Sequence, residues 1–174
     1  MPEKRENMRT ETSKANYVAK AGLIAALYAG LCLALQSISF GPIQVRVANA
    51  LMILPYFTSA AIPGLYVGCL IANLIGGGVM IDVVAGSFIT LFGAIGARLL
   101  RNTPWLMPLP TLVLNILIVP QILKYGYGVP LPIPLSMLYI GIGAFIACYV
   151  LGMLLFSVLK QIAPYLEDRT VRAR

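Results

Sequence analysis

The sequence predicts an all-α membrane protein with six transmembrane helices and both termini in the cytoplasm. Three observations support this prediction. The 174-residue chain is 59% hydrophobic and only 11% charged, whereas charged residues make up about a quarter of an ordinary soluble domain. Long apolar runs alternate with short segments rich in glycine, proline or charge. When these runs are threaded through a membrane in order, the basic residues gather on one side.

The first predicted helix, about 16–36, has close to the ~20 residues that a spanning helix needs. The segment before it, 1–15, is highly charged. We therefore expect a poorly ordered cytoplasmic tail there rather than a cleaved signal peptide. After the helix come a Gly-Pro break and then Gln44, Arg46 and Asn49. A polar loop of this kind at a membrane surface is suited to binding a small polar molecule.

The next apolar run is divided into two short helices. Residues 47–81 contain no charge over 35 residues, which is too long for one crossing and short for two. A small-residue turn with Pro63 and Gly64 interrupts the run, so we predict helices at about 49–59 and 63–75. Short spans need shielding by neighbouring helices, a tilt or a nearby water-filled cavity.

Three longer helices complete the predicted domain. A glycine-rich turn leads to a fourth helix, about 82–100. A fifth helix enters through a proline-rich connection and ends near Leu123, and a sixth covers about 135–159 after a loop rich in tyrosine and proline. The membrane domain is therefore predicted to cover 16–160, with a cytoplasmic tail at 161–174.

Six helices place both termini on one side, and the charges identify that side. Eleven of the 13 lysine and arginine residues fall in the N-terminal segment, the connection between the fourth and fifth helices, the C-terminal tail, or the helix ends that adjoin them. Arg46 and Lys124 lie on the opposite side. Because basic residues accumulate on the cytoplasmic side, the Arg46 loop, the turn before Asp82 and the tyrosine-bearing loop are predicted to converge on the outer face.

The candidate binding residues are the polar side chains that lie near this outer face or on the apolar helices. Asp82 is the only acid outside the two tails, and a charge near hydrocarbon costs roughly 2.5–3.5 kcal/mol on insertion scales. It therefore needs a partner or a ligand, and both an Arg46–Asp82 ion pair and a ligand shared by the two residues stay open. The candidate set is Gln44, Arg46, Asn49, Asn73, Asp82, Asn115, Tyr125 and Tyr139.

Most of these residues also have a structural interpretation. A single amide on an apolar helix is more often a helix–helix hydrogen bond than a ligand contact, and a single tyrosine more often belongs to an interfacial aromatic belt. The chain has no histidine, and its three cysteines lie in apolar runs without CxxC spacing. We therefore expect no metal site and no cofactor. No recognisable nucleophile, base or metal cluster indicates an enzyme.

The first helix carries small residues at a four-residue spacing in two series. These are Ala21, Ala25 and Ala29, and Gly22, Ala26 and Gly30. Small faces let helices approach closely. Two interpretations stay open, namely packing inside the same bundle and docking onto another membrane protein.

Three blocks of the sequence resemble one known family. They are SFGPIQVR followed by Ala48-Asn49-Ala50-Leu51, the block from Ile62 to Asn73, and Asp82-Val83-Val84-Ala85-Gly86-Ser87. Together they are similar to the QueT family, whose members are substrate-binding S components of energy-coupling factor (ECF) transporters associated with queuosine precursors. The resemblance extends from about Ala19 to the sixth helix.

The resemblance implies a six-helix S-component bundle with a substrate pocket near the outer face. It also implies that Ala21, Ala25 and Ala29 dock on a transmembrane coupling subunit, which works with a pair of ATPases. The chain has no GxxxxGK[ST] motif, so it is not expected to hydrolyse ATP itself. The implied function is ATP-driven uptake of a 7-deazaguanine across a bacterial plasma membrane.

One position departs from the family pattern, because Asn49 stands where an acid is usual. With one carboxylate fewer, the pocket is expected to favour a neutral precursor bearing a nitrile over one bearing a cationic aminomethyl group. Other functions stay open: an S component for another small vitamin-like molecule, a membrane scaffold, or a small membrane enzyme. No nucleic-acid partner is expected, because no basic patch is interleaved with aromatic residues.

Overall fold

The computed structural model describes residues 2–35 and 46–162, and all regular structure in these two ranges is helical. In chain order the elements are α1 (Pro2–Ala34), a 3₁₀ helix (Val47–Tyr56), α2 (Ala61–Ile75), α3 (Met80–Leu99), α4 (Leu109–Tyr125), α5 (Ile133–Phe145), a π-helical segment (Ile146–Leu151) and α6 (Gly152–Ile162). A single 3₁₀ turn, Pro104–Leu106, lies between α3 and α4. The all-α prediction is confirmed for the described residues.

Four helical stretches of the described chain are long and apolar enough to cross a membrane. They are Ser13–Ala34, Met80–Leu99, Pro104–Tyr125 and Ile133–Gln161. The 3₁₀ helix and α2 are also apolar but have only 10 and 15 residues. These two elements correspond to the two short helices expected from the interrupted apolar run. The chain is therefore a multi-pass membrane protein.

Helix α1 begins well before the predicted start at about residue 16. The helix extends back to Pro2, so the charged segment that was expected to be poorly ordered is helical from that residue. Lysine, arginine and glutamate are good helix formers. The prediction was wrong because the end of an apolar run marks where contact with hydrocarbon stops, and it does not mark where a helix ends.

The second predicted helix is a 3₁₀ helix rather than an α-helix. A 3₁₀ helix rises about 2.0 Å per residue instead of about 1.5 Å. Its ten residues therefore extend roughly 20 Å rather than roughly 15 Å, which lets a short segment cross more of the membrane. Residues Ala48 to Pro55 are all buried, so neighbouring helices shield the whole segment. Pro55 lies inside the segment and has no N–H, so its position has no backbone donor in either kind of helix.

Helices α1 and α2 pack with their backbones in close contact. A Cβ atom at Gly64 would lie 2.7 Å from the carbonyl oxygen of Ala21, and one at Gly68 would lie 2.8 Å from that of Ala25. Only glycine permits this approach. Ala25 and Ala29 are buried, so the first small-residue series faces the inside of the bundle.

The described residues contain three apolar clusters, of which two are larger than the third. One of these two includes Tyr28, Leu51 and Leu65 from α1, the 3₁₀ helix and α2. The other includes Ile89 and Ile140 from α3 and α5, together with side chains of α4. The buried polar residues that form the candidate site belong to α2, to the start of α3 and to the residue before the 3₁₀ helix.

Candidate functional site

A tight turn brings Asn73 of α2 next to Asp82 of α3. Helix α2 ends at Ile75, and the turn contains Gly77 at φ +76°, a left-handed conformation that favours glycine. The side-chain amide of Asn73 donates to the backbone carbonyl of Asp82 at 3.1 Å. Asp82 lies in the first turn of α3, where the helix dipole stabilises a negative charge.

Arg46 joins these two residues from the N-terminal end of the 3₁₀ helix. Its Nη2 atom donates to Asn73 Oδ1 at 3.1 Å and lies 3.3 Å from Asp82 Oδ2 and 3.5 Å from Asp82 Oδ1. All three side chains are buried. The sequence left open an Arg46–Asp82 ion pair, and the structure contains that pair.

Gly86, one turn further along α3, leaves room for the three polar groups. A Cβ atom at this position would lie 2.9 Å from Asp82 Oδ1 and 3.0 Å from Asn73 Nδ2. The contact at 2.9 Å is shorter than real Cβ atoms make and the one at 3.0 Å is tighter than most, so the carboxylate or the amide would have to shift to admit any larger residue. The glycine in the block from Asp82 to Ser87 is therefore part of the geometry of the site.

Cys69, one turn before Asn73, lies against the same groups through its sulfur atom. Its Sγ atom is 3.7 Å from Arg46 Nη1 and 3.6 Å from Asn73 Nδ2, and the thiol donates to the carbonyl of Gly86 at 3.7 Å. Sulfur is a weak donor and acceptor. The term Asp82 cluster is used below for five residues: Arg46, Cys69, Asn73, Asp82 and Tyr127. The position of Tyr127 is described next.

Tyr127 reaches the cluster from the loop between α4 and α5. Its hydroxyl group donates to Asp82 Oδ2 at 2.9 Å and accepts the N–H of Val79 at 3.4 Å. Partial burial, the charge of Asp82 and the hydrogen bond to Asp82 raise the pKa of Tyr127 to about 12. The phenol therefore stays neutral and remains a hydrogen-bond donor at physiological pH.

Asn49 lies apart from the hydrogen bonds of the cluster and pairs with α1. The hydroxyl of Tyr28 donates to Asn49 Oδ1 at 3.1 Å, and both residues are buried. Tyr28 shares an apolar core with Cys69. The sequence-based candidate set omitted Tyr28 although it stands in an apolar run, and a buried tyrosine hydroxyl usually has a partner. That general rule was the available signal.

The remaining candidates do not join the cluster. Asn115 donates to the carbonyl of Thr111 in its own helix at 2.7 Å. Tyr125 is 72% exposed, with its ring near Lys124, and Tyr139 is also exposed. Gln44 lies outside the described residues. The structure therefore brings together Arg46, Asn73 and Asp82, adds Tyr127 and Cys69 to them, and leaves Asn115, Tyr125 and Tyr139 elsewhere.

The groups of the cluster have the hydrogen-bonding capacity to bind a polar molecule. Carboxylate and amide oxygens accept hydrogen bonds, and the guanidinium and amide nitrogens donate them. In the described part of the chain, no group of three or more histidine, cysteine or acidic residues is placed to hold a metal ion. Ionisable residues inside membrane bundles are costly and are characteristic of substrate or ion pathways.

A multi-pass helical bundle with a buried ion pair and amide at the ends of its helices has the features of a small-molecule transporter. A family model described as QueT transporter matches residues 18–161, which is most of the chain. The protein belongs to the QueT transporter family.

A relative from Lactococcus lactis subsp. cremoris (strain MG1363), named Queuosine precursor transporter QueT, is 35% identical over 81 residues. This match covers 45% of the present chain and 47% of the relative. The chain therefore spans about half the length of the curated relative it matches. No solved structure matches the chain.

Proposed function

We propose that the chain is the substrate-binding S component of an ECF-type importer and takes up a queuosine precursor across a bacterial plasma membrane. The observation that carries this proposal is the buried set of Arg46, Asn73 and Asp82, which contains the ion pair, within a largely apolar bundle. Membership of the QueT transporter family and the name of the Lactococcus lactis relative support the same substrate class. A membrane coupling subunit and an ATPase pair would supply the energy.

The hydrogen-bonding edge of a 7-deazaguanine complements the Asp82 cluster. That edge carries two donors, N1–H and the exocyclic amine, next to the O6 acceptor. A carboxylate accepts two donors at once in charge-assisted hydrogen bonds, which is the role we assign to Asp82. Arg46 and Asn73 adjoin Asp82 and have N–H groups that suit O6. Donors and acceptors therefore match on both sides.

Asn49 supports a preference for an uncharged precursor. It forms a neutral pair with Tyr28 in the bundle interior and contributes no second carboxylate. A cationic aminomethyl group buried without an acid beside it would cost considerable free energy. A nitrile carries no charge and avoids that cost, so we propose that the nitrile-bearing precursor binds more tightly.

Titration of the purified protein with both precursors and with guanine tests the substrate assignment. We expect the nitrile-bearing compound to bind most tightly, and Asp82→Asn to weaken its binding roughly 10- to 100-fold because charge-assisted bonds are lost. The matched control is Ser136→Ala, which removes a buried hydroxyl group on α5 and should leave the affinity unchanged.

Each other outcome of the titration contradicts a stated part of the proposal. Tighter binding of the cationic precursor would contradict the argument from Asn49. If no 7-deazapurine binds to folded protein, the substrate assignment is wrong. A different small molecule that co-purifies with the chain would then identify an S component for another vitamin-like compound, whereas a chain that binds none would favour a scaffold.

We also propose six crossings with both termini in the cytoplasm, which places the Asp82 cluster toward the outside. The support is the distribution of basic residues along the sequence and the positive-inside rule. Single cysteines at Glu3 and Arg172, introduced into a variant without the three native cysteines, should be labelled only from the cytoplasm. A cysteine at Gly128 should be labelled only from outside, and the reverse pattern would invert the orientation.

Docking of the coupling subunit is proposed for α1. Ala25 and Ala29 of the series suggested by resemblance are buried on the α2 side, and Ala21 is half-buried. The second series, in contrast, is exposed: Gly22, Ala26 and Gly30. The second series is thus accessible in this conformation, and docking through the first would require α1 and α2 to separate.

Two tryptophan variants on adjacent residues distinguish the two series. Ala26→Trp should preserve the fold and substrate binding of the isolated protein but prevent assembly with the coupling subunit. Ala25→Trp forces a ring into the close contact with Gly68, so substrate binding and stability of the isolated protein should both fall. If Ala25→Trp blocks assembly while substrate binding stays intact, the first series is the docking face.

A further inference from the structure

Tyr127 is the member of the Asp82 cluster that faces out of the bundle. Among the described residues of the cluster, Arg46, Asn73 and Asp82 are 7%, 1% and 1% exposed, whereas Tyr127 is 36% exposed. The side chain of Tyr127 therefore lies between the buried carboxylate and the medium on that side of the cluster. A molecule that approaches Asp82 from this direction meets the phenol first.

The hydroxyl of Tyr127 also makes the shortest hydrogen bond to the carboxylate among those of the described residues. Its distance to Asp82 Oδ2 is 2.9 Å, while the Arg46 nitrogen lies 3.3 Å from the same oxygen. The phenol thus uses the outward side of Oδ2, where a donor on an incoming ligand would have to bind. A ligand donor and the Tyr127 hydroxyl group compete for the same lone pair.

The loop that carries Tyr127 is built so that this side chain can leave without disturbing α4. The backbone N–H groups of Tyr127 and Val129 donate to Ile122 and Leu123 of α4 at 3.3 and 3.0 Å, and these bonds do not involve the phenol. Gly128 has φ +66°, which favours glycine. Turning the side chain away breaks the bond to Asp82 and the long bond from Val79, while the backbone bonds stay.

We propose that Tyr127 controls access to Asp82 and selects ligands that carry a hydrogen-bond donor at that position. On binding, a ligand N–H takes the place of the Tyr127 hydroxyl group on Oδ2 and the phenol turns outward. The identity of the ligand rests on the function proposed above, but the contact between Tyr127 and Asp82 does not. A ligand without that donor would remove the shorter of the two hydrogen bonds that Oδ2 accepts from described residues and leave only the longer one from Arg46. That loss is costly for a buried carboxylate, so the exchange also discriminates between ligands.

Alkylation of Cys69 tests the access role without any ligand. Cys69 is fully buried beside Arg46 and Asn73, and in a Cys32→Ala/Cys148→Ala background it is the sole thiol of a chain with three cysteines. Its reaction with iodoacetamide, a small water-soluble reagent that alkylates the thiolate and releases iodide, measures opening of the cluster. Tyr127→Phe keeps the ring, removes the hydroxyl group and should raise the rate about tenfold, the factor that corresponds to 1.4 kcal/mol.

The matched control is Tyr149→Phe, which removes a phenol oxygen from the π-helical segment, where the ring stacks on Phe145 at 5.1 Å. It should leave the rate of Cys69 alkylation unchanged. Thermal unfolding in detergent confirms that both variants are folded. If Tyr127→Phe is folded and its rate equals that of the parent, Tyr127 does not control access and the inference is overturned.

Ligand binding to the same variants provides the second readout. With the nitrile-bearing 7-deazaguanine, Tyr127→Phe should increase both the association rate and the affinity about tenfold, because the competitor for Oδ2 is gone. Weaker binding would overturn the inference, because the hydroxyl group would then contact the ligand. Faster alkylation in a protein that binds no 7-deazapurine would support the access role of Tyr127 and overturn the substrate assignment instead.

Discussion

Two arginines hold the two ends of the 3₁₀ helix in different ways. Arg46 precedes its N-terminal end, and its guanidinium contacts the side chains of Asn73 and Asp82. Arg98, near the end of α3, donates to the carbonyl oxygens of Pro55 at 2.7 Å and Tyr56 at 3.4 Å at the other end. The same kind of side chain therefore binds side chains at one end and backbone at the other.

This difference separates a contact that a ligand can replace from one that it cannot. The last carbonyl groups of a helix have no donor within the helix, so Arg98 satisfies a requirement that persists in every state of the folded protein. The carboxylate of Asp82 can exchange one donor for another. The Asp82 end is therefore suited to binding, and the Arg98 end is suited to stability.

The largest loss in the free energy of unfolding is expected when the Arg46–Asp82 ion pair loses one of its two side chains. Arg46→Met leaves a buried carboxylate without its cation, and breaking a buried ion pair in this way costs about 3–5 kcal/mol. The free energy of unfolding, measured by denaturation in mixed micelles, should fall by that amount. Binding of the 7-deazaguanine should also be lost.

The double variant Arg46→Met/Asp82→Leu separates the structural role of the pair from its role in binding. Replacing a buried ion pair by apolar side chains is often neutral, or stabilising by about 1–4 kcal/mol, so most of the stability should return. Binding should not return, because the acceptor for the ligand is absent. A double variant that binds the ligand normally would show that Asp82 is not the recognition group.

A smaller loss of stability is expected at the other end of the 3₁₀ helix. Arg98→Met removes the donors to Pro55 and Tyr56, and hydrogen bonds from a charged group contribute about 1.5–3 kcal/mol. The ligand affinity of the folded protein should change by less than about threefold, well under 1.4 kcal/mol. Arg101→Met, in the same connection, is the matched control and should stay within about 0.5 kcal/mol of the parent. Lost affinity at unchanged stability would contradict this division of roles.

The general fold and the charged part of the site could be predicted because the signals are strong. An uncharged run of the required length predicts a helix when the segment lies in a lipid bilayer. When a single acid and a single arginine lie in apolar surroundings, they are expected to form an ion pair, since neither is stable there alone. Arg46 and Asp82 were found for that reason, and the ion pair is present in the structure.

The remaining parts depend on geometry that the residue pattern does not contain. Tyr125 and Tyr127 lie two residues apart in the same region, and only the path of the chain decides that Tyr127 contacts Asp82. Likewise, Ala25 and Ala26 lie on series of equally small residues that differ by one residue, about 100° around a helix. Packing against Gly68 determines which series is buried.

A change of pH is expected to have the smallest effect on the protein. It concerns only the hydrogen bond of Tyr127 at the Asp82 end of the 3₁₀ helix. The fold raises the pKa of Tyr127 to about 12, from about 10 for a free tyrosine. The neutral phenol is the form that the fold favours. The contribution of the Tyr127–Asp82 hydrogen bond to the stability of the closed cluster should therefore be complete below about pH 10. It should be lost as the pH rises through about 12.

The measurement that checks this pH dependence is the ratio of the Cys69 alkylation rates of Tyr127→Phe and its parent. Ionisation of the thiol is common to both proteins and cancels in the ratio. The ratio should stay near tenfold from about pH 6 to about pH 9, since the phenol remains neutral over that range. Above about pH 10 the ratio should fall toward one as the phenol ionises. A ratio that does not change between about pH 10 and about pH 12 would mean that the fold does not raise the pKa of Tyr127. The phenol would then not be held against a charged Asp82, and the contact that covers the carboxylate would be absent.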